Sequence, residues 1–315
     1  MITTLTPNPS VDRAIVIDAL VRGEVIRASS TRIDPGGKGV NVSRALSAQS
    51  CETLAVVPVG GPEGHLLAEL LDDAGVPHCD VAITGSIRMN ISVLEPDGTT
   101  TKLNEPGPFL DGHACDAVVA ATLESALPGG WIAACGSLPP GAPADLYAQL
   151  IVSARARGSR VAVDSSGTPL AEAVRALPDL IKPNHEELEE LVGRELPTLG
   201  DVLDAATHLV ESGIAIVAVS LGRHGALLVS ATEVAHARAS ITDPQSTVGA
   251  GDCMLAGLLH GLNSGLSATD ALALGVTWGA AAVTLPGSSV PTRENLRGID
   301  ATVELNPRRD LLLGR

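Results

Sequence analysis

The sequence predicts an α/β fold built on a parallel sheet with helices on both faces. Short apolar runs alternate with longer helical patterns along most of the 315 residues, and strand–helix alternation is how parallel sheets are made. The composition agrees. Apolar types make up 45% and charged types 18%, enough for a packed core and too apolar for a disordered chain. With two Trp, one Tyr and one Phe, that core must be built from Ala, Val, Leu and Ile. One domain over 1–315 is expected.

In chain order, strands are expected at Ile2–Leu5, Thr53–Val59, 131–134, 160–163, 214–219 and 226–229. Helices are expected near 40–49, 64–74, 111–126, 144–157, 184–192, 200–212, 250–263 and 267–284. Two stretches break the rhythm. Residues 13–34 and 87–104 read as strands with no helix between them, the second folding back at Pro96-Asp97-Gly98, a hairpin signal. Such an inserted sheet is expected to form a lid, a dimer surface, or both. Ligands of parallel sheets lie at the carboxyl ends of the strands, so the motifs there carry the function.

The first strand ends at Asn8-Pro9-Ser10-Val11-Asp12. Asp12 is placed either for sugar hydroxyls or for a loop turn. Asp34-Pro35-Gly36-Gly37-Lys38-Gly39-Val40-Asn41 follows. It reads as a glycine turn with a helix cap, or as free N–H groups offered to a polar ligand, with Lys38 and Asn41 sharing one helix face. After the strand at 131–134, Gly136-Ser137-Leu138-Pro139-Pro140-Gly141 is a stiffened loop or a wall of a sugar site. Lys182-Pro183-Asn184-His185-Glu186-Glu187 ends a strand and starts a helix. There Asn184 and Glu187 form a capping-box pair or lie near Mg²⁺ and phosphate. Ser220-Leu221-Gly222-Arg223-His224-Gly225 is a tight connection between strands or a nucleotide-contacting turn.

The most informative segment is Ser246-Thr247-Val248-Gly249-Ala250-Gly251-Asp252, followed by an apolar helical run. Glycines just before a helix let a ligand approach the first N–H groups, which bind anions. A carboxylate beside an anion cradle has an obvious use, which is to accept a proton from a hydroxyl that attacks a phosphoryl group. Otherwise Asp252 is a first-turn acid that complements the helix dipole.

The charge balance points the same way. The chain has 21 basic and 36 acidic residues, net −15, which argues against nucleic-acid binding. No apolar run approaches the roughly 20 residues of a membrane span, and the opening residues do not read as a signal peptide. Five scattered cysteines without a C-x-x-C pair suggest small buried hydrophobes in a reducing cytoplasm. Only three of the basic residues are Lys: Lys38, Lys102 and Lys182. Two of these sit inside the motifs above.

Taken together and in this order, the motifs resemble the ribokinase superfamily in its phosphofructokinase-B branch, over nearly the whole chain. Asn-Pro-Ser-Val-Asp, Arg88-x-Asn90, Asn104-Glu105-Pro106-Gly107, Gly-Ser-Leu-Pro-Pro-Gly and Ser-Thr-Val-Gly-Ala-Gly-Asp are similar to the hexose-phosphate kinases, above all bacterial 1-phosphofructokinases. The resemblance implies a three-layer α/β/α domain with a β lid, dimeric through that lid, using ATP and Mg²⁺. It implies Asp252 as the base and Gly249, Ala250 and Gly251 as the anion hole. Asp12, Gly36, Gly37, Lys38, Asn41, Asn90 and Ser137 would hold the sugar, and Arg88, with Arg27 or Lys102, its phosphate. Lys182, Asn184, Ser220, Gly222 and Gly225 would serve the nucleotide, and Glu187 with Asn184 the metal. The reaction implied is phosphorylation of fructose 1-phosphate to the 1,6-bisphosphate. Tagatose 6-phosphate and fructose 6-phosphate are the alternative acceptors, and a catalytically silent sugar-phosphate sensor is the alternative outside catalysis. Cys253 departs from the small hydroxyl residue usual in that family.

Overall fold

The computed structural model describes residues 1–314. Along them run β1 (Ile2–Leu5), β2 (Ser10–Val16), β3 (Ser30–Gly36), α1 (Lys38–Ala48), β4 (Thr53–Val59), α2 (Gly61–Asp73), β5 (His78–Ala82), β6 (Arg88–Leu94) and β7 (Thr100–Asn104). Next come α3 (Gly112–Ser125), β8 (Trp131–Cys135), α4 (Leu146–Ala156), β9 (Arg160–Asp164), α5 (Gly167–Arg175), β10 (Leu180–Ile181), α6 (His185–Val192) and α7 (Leu199–Glu211). The chain closes with β11 (Ile216–Ser220), a 3-10 turn (Gly222–His224), β12 (Ala226–Ser230), β13 (Val234–Arg238), α8 (Ala250–Asn263), α9 (Ala268–Val283) and β14 (Thr302–Glu304).

The large sheet has the order β14-β13-β12-β11-β10-β9-β8-β1-β4-β5. From β5 to β11 its strands are parallel, and the other edge, β12 to β14, is antiparallel. Side chains alternate across a strand, so each parallel strand feeds two cores. Along β8, Ile132 and Ala134 pack with α3, α4 and α7, while Trp131, Ala133 and Cys135 pack with α1, α8 and α9. A strand buried on both faces reads as an unbroken apolar run, as Trp131-Ile132-Ala133-Ala134-Cys135 does.

The expected lid is present as a second sheet, order β3-β2-β6-β7, with shifted bounds. Of the strands expected over 13–34, the two observed are Ser10–Val16 and Ser30–Gly36, so the pair begins earlier and ends later, and 17–29 connects them without strand pairing. Gly36 therefore ends a lid strand, and α1 begins at Lys38 rather than at 40. Four elements went unpredicted: β5, α5, β13 and β14. Strand β10, expected only as the strand that ends at the Lys182-Pro183 motif, is two residues long. Strands β5 and β14 lie at the two edges of the sheet, where half-exposed residues blur the apolar signal. Strand β13 buries a polar residue, His236, between two small ones, Ala235 and Ala237, so it lacks a run of large apolar residues.

Helices α8 and α9 lie unusually close. A Cβ on Gly275 would stand 2.7 Å from the Met254 carbonyl oxygen, and one on Gly257 would stand 2.9 Å from Gly275 Cα. Small residues at this crossing let the backbones touch, which seats the start of α8 against the body of the protein.

Candidate active site

The carboxyl ends of β1, β8, β9, β10 and β11 open on one side of the large sheet, facing the N-termini of α1, α6 and α8. Gly249 caps α8 in the left-handed region, at φ 78°. It turns the chain so that the Gly251 and Asp252 amides meet no main-chain acceptor among the described residues, while Ala250 makes only a long 3.4 Å bond to the Thr247 carbonyl, the arrangement that binds anions. Asp252, in the first turn, is 7% exposed. Its Oδ2 accepts a 2.9 Å hydrogen bond from Asn41 Nδ2 on α1. Burial, seconded by the nearby Asp164 carboxylate, pushes Asp252 up to about 6; the Asn41 bond and the Lys38 and Lys182 cations hold it there against a larger rise. A carboxyl tuned to that range suits proton transfer near neutral pH.

Asp164, at the end of β9, is the group the sequence did not mark. It is fully buried and carries two lysines: Lys38 Nζ lies 2.7 Å from Oδ1 and Lys182 Nζ 2.9 Å from Oδ2. Burial alone would raise Asp164, but the two ammonium groups outweigh it and hold it below the usual carboxylate range. Lys38 also lies 3.4 Å from Glu187 Oε1. Burial works against its charge, yet Asp164 and Glu187 together raise it well above the ordinary lysine value. Lys182 is 3% exposed, a position a lysine holds only when paired. Its Nζ lies 3.5 Å from where a Gly251 Cβ would be. Two of the three lysines thus converge on one carboxylate beside the anion cradle.

Asn184 and Glu187 form the capping box read from the sequence. Asn184 Oδ1 accepts from the Glu187 amide at 2.7 Å, and Glu187 Oε2 accepts from the Asn184 amide at 2.8 Å. Ser220 joins this edge by a parallel bridge to Asn184, its amide donating to the Pro183 carbonyl at 3.0 Å. Gly222 opens the 3-10 turn with nothing within 4 Å of a Cβ, whereas a Cβ on Gly225 would overlap the Ala237 carbonyl oxygen.

The lid contributes a polar face. Asn90 Nδ2 donates to Asp12 Oδ1 at 2.9 Å and to Ser10 Oγ at 3.0 Å, and Ser10 Oγ donates to Asp12 at 2.7 Å. Residues paired across strands share a face, which puts Lys102, opposite Ser92, on this same side. Asn8, which opens the Asn-Pro-Ser-Val-Asp motif but carries no predicted role there, ties the loops together. It donates 3.0 Å to the Pro106 carbonyl and 3.4 Å to Ser137 Oγ, and its own carbonyl accepts from Arg88. Arg88 is less free than a phosphate clamp should be. It donates to the Asn8 carbonyl from Nε and Nη2 and to the Glu105 carbonyl from Nη1, leaving one N–H on each terminal nitrogen. The cleft of about 400 Å³ beside it also carries Glu63 and Glu105, which repel phosphate. Arg27 lies exposed in the 17–29 connection.

Free amides, two fixed ammonium groups and a raised carboxyl brought together by Asp164 are the parts of phosphoryl transfer, which needs positioning and charge neutralisation more than covalent chemistry. The pfkB family carbohydrate kinase model matches residues 6–295. The chain belongs to that family. As a member it is an ATP-dependent phosphotransferase of ribokinase-like fold. It is 38% identical to 1-phosphofructokinase of Rhodobacter capsulatus over 96% of each chain. It is 36% identical to ATP-dependent 6-phosphofructokinase isozyme 2 of Mycobacterium tuberculosis, over 94% of this chain and 87% of that one. Among solved structures it is similar to phosphofructokinase-2 from Escherichia coli in complex with substrates and products, with TM-score 0.90, 34% identity, 95% of this chain and 97% of that chain covered. The tetrameric inhibited form of that E. coli protein matches at TM-score 0.89 and 34% identity, with the same coverage.

Among the described residues no group of three His, Cys, Asp or Glu gathers as a metal cage, and no helix is long and apolar enough to cross a membrane. The Glu187 and Asn184 oxygens fit Mg²⁺ in one sense only. Mg²⁺ keeps several waters and is bound by one or two carboxylates plus substrate phosphates, and a single carboxylate at the site meets that demand.

Proposed function

We propose that this kinase transfers the γ-phosphoryl group of ATP to fructose 1-phosphate, giving fructose 1,6-bisphosphate and ADP. The observation that supports it best is Asp252, a buried carboxyl with a raised pKa, standing in the first turn of α8 directly behind the anion cradle. In this reading Asp252 takes the proton of the acceptor's C6 hydroxyl as that oxygen bonds to the γ-phosphorus. The bond from phosphorus to the bridging oxygen breaks, and ADP leaves with that oxygen. The amides of Gly249, Ala250 and Gly251, with Lys38 and Lys182, neutralise the charge on the moving phosphoryl oxygens.

Asp12, Asn90, Asn41 and the glycine turn at 36–37 orient the sugar, with Ser137 at the rim. The buried Oδ1 atoms of Asn8 and Asn90 have no partner within the protein, an unmet polar demand beside these residues. Arg88, through its two remaining N–H groups, and Lys102 or Arg27 meet the acceptor's phosphate. Asn184, Ser220, Gly222 and Gly225 line the nucleotide side. Glu187 and Asn184, with the nucleotide phosphates and water, would hold Mg²⁺, which would supply charge neutralisation.

The similarity to the M. tuberculosis 6-phosphofructokinase makes fructose 6-phosphate the second acceptor reading. ADP release measured on fructose 1-phosphate, fructose 6-phosphate, tagatose 6-phosphate and free fructose decides between them. The highest kcat/KM is expected for fructose 1-phosphate and the lowest for free fructose. A preference for free fructose overturns the sugar-phosphate assignment.

The reading includes a single domain over 1–315, a cytoplasmic location and a homodimer through the lid. Supporting the dimer, Ile15, Ile91 and Leu103 lie on the lid face opposite Asp12 and Asn90, and Leu103 is 58% exposed. Sedimentation of the full chain tests it: Leu103→Asp should yield a monomer, and an unchanged assembly would place the interface elsewhere.

A further inference from the structure

Arg44 lies on α1 one turn beyond Asn41 and is 9% exposed. A buried guanidinium is costly unless its donors are matched, and here three acceptors share Nη1. Asn41 Oδ1 accepts at 3.0 Å, the Ser288 carbonyl at 3.1 Å and the Pro35 carbonyl at 3.3 Å. Burial lowers its pKa, and Asp34 is the largest opposing influence, but an arginine stays charged in proteins.

The partner that matters is Asn41. A side-chain amide has a donating and an accepting end of nearly the same shape. Arginine only donates, so the end of Asn41 facing Arg44 must be Oδ1. The end facing Asp252 is therefore Nδ2, at 2.9 Å from Asp252 Oδ2. With the amide reversed, an oxygen would face the carboxylate and repel it. The other two acceptors fix where Arg44 stands. Pro35 belongs to lid strand β3, and Ser288 belongs to the segment whose Cα lies 3.9 Å from where a Gly249 Cβ would be.

We infer that Arg44 is a positioning residue for the phosphoryl transfer: it locks the Asn41 amide so that Asp252 Oδ2 is held by a donor and Oδ1 is left to face the acceptor hydroxyl. The inference rests on Asp252 being the base, and its test separates the two.

Steady-state kinetics on Arg44→Met, Arg44→Lys, Asn41→Ala and the Arg44→Met/Asn41→Ala double variant of the full chain provide that test. Arg44→Met should lower kcat by about 10²-fold, the scale of a misplaced catalytic group, with KM for ATP within about twofold of wild type. Because Arg44 acts through Asn41, the double variant should be no slower than the slower single variant. Losing the Asn41 donor should also move the acid limb of the kcat profile to higher pH. The other groups facing Asp252, namely Lys38, Lys182, Asp164 and Cys253, are unchanged in these variants. Arg44→Lys keeps a cation and a donor and should retain an intermediate kcat.

Losses that multiply in the double variant, or a wild-type kcat and pH profile in Arg44→Met, would overturn the inference. If Arg44→Met does not fold, the same cycle on Arg44→Lys decides the matter by the same criterion. A wild-type rate in Asp252→Asn would instead remove the base itself, a result distinct from an inert Arg44.

Discussion

At the lid turn, a Cβ on Gly36 would overlap the Asp12 carboxylate, and one on Gly37 would come within 2.7 Å of Thr6 Cγ2. At the start of α8, a Cβ on Gly249 would meet nothing closer than Ser288 Cα at 3.9 Å, and one on Gly251 only Lys182 Nζ at 3.5 Å. Both turns read alike in sequence, as glycines leading into a helix. The first is glycine because the protein's own atoms fill the space. The second is glycine beside open space that a ligand can occupy. Glycine in a motif therefore has two meanings, and the neighbours of its missing Cβ tell them apart.

Substitutions can break or sharpen this contrast. Gly251→Ala carries the largest expected effect. A methyl there enters the space of the transferred group and should cost about 10²-fold in kcat. Gly251 is helical without a left-handed φ, so the same change should raise stability by about 0.5–1 kcal/mol. Kinetics and thermal denaturation together check it, and a fall in stability would place Gly251 with the packing glycines.

Gly36→Ala should behave in the opposite way. Pushing Asp12 aside is an overpacking event worth about 1–3 kcal/mol of stability, accompanied by a higher KM for the sugar. Denaturant titration reads the first and acceptor kinetics the second. An unaltered midpoint would show that the turn yields cheaply.

Gly222→Ala is the mildest. The site is open but sits at φ 56°, so about 1–2 kcal/mol of backbone strain is expected, with a rise in KM for ATP and little change for the sugar. A change confined to the sugar KM would move the nucleotide away from this turn.

How far the sequence was legible follows from the same distinction. Asp252 and Gly249 were found because a glycine pair, an acid and an apolar helix are contiguous. The Asn184–Glu187 pair was found because capping has a fixed spacing. Asp164 was not, because Arg160-Val161-Ala162-Val163-Asp164 reads as any buried strand ending in a polar residue. Only the fold brings Lys38 and Lys182 to it from 126 residues before and from the neighbouring strand's end. Two signals did exist: an acid at the carboxyl end of a parallel strand, and a chain that keeps three lysines while placing two of them in motifs. Arg44 gave no signal, since one more arginine on a helix looks like surface. At Arg88 the reverse holds: the sequence marks it for a phosphate, but three of its N–H groups go to main-chain carbonyls that no local pattern announces.

The central claim is that Asp252 accepts the acceptor's proton. Its carboxyl is pushed up to about 6, and only the ionised form is a base, so the wild-type kcat should fall as pH drops through that value. The direct measurement is kcat of Asp252→Asn at neutral pH. The amide keeps an oxygen for Asn41 Nδ2 and relieves a buried charge, so the fold and ATP binding should persist while kcat falls by about 10²–10⁴-fold. A variant that folds, binds ATP and turns over at the wild-type rate would contradict the account and leave Asp252 as a helix-terminal acid.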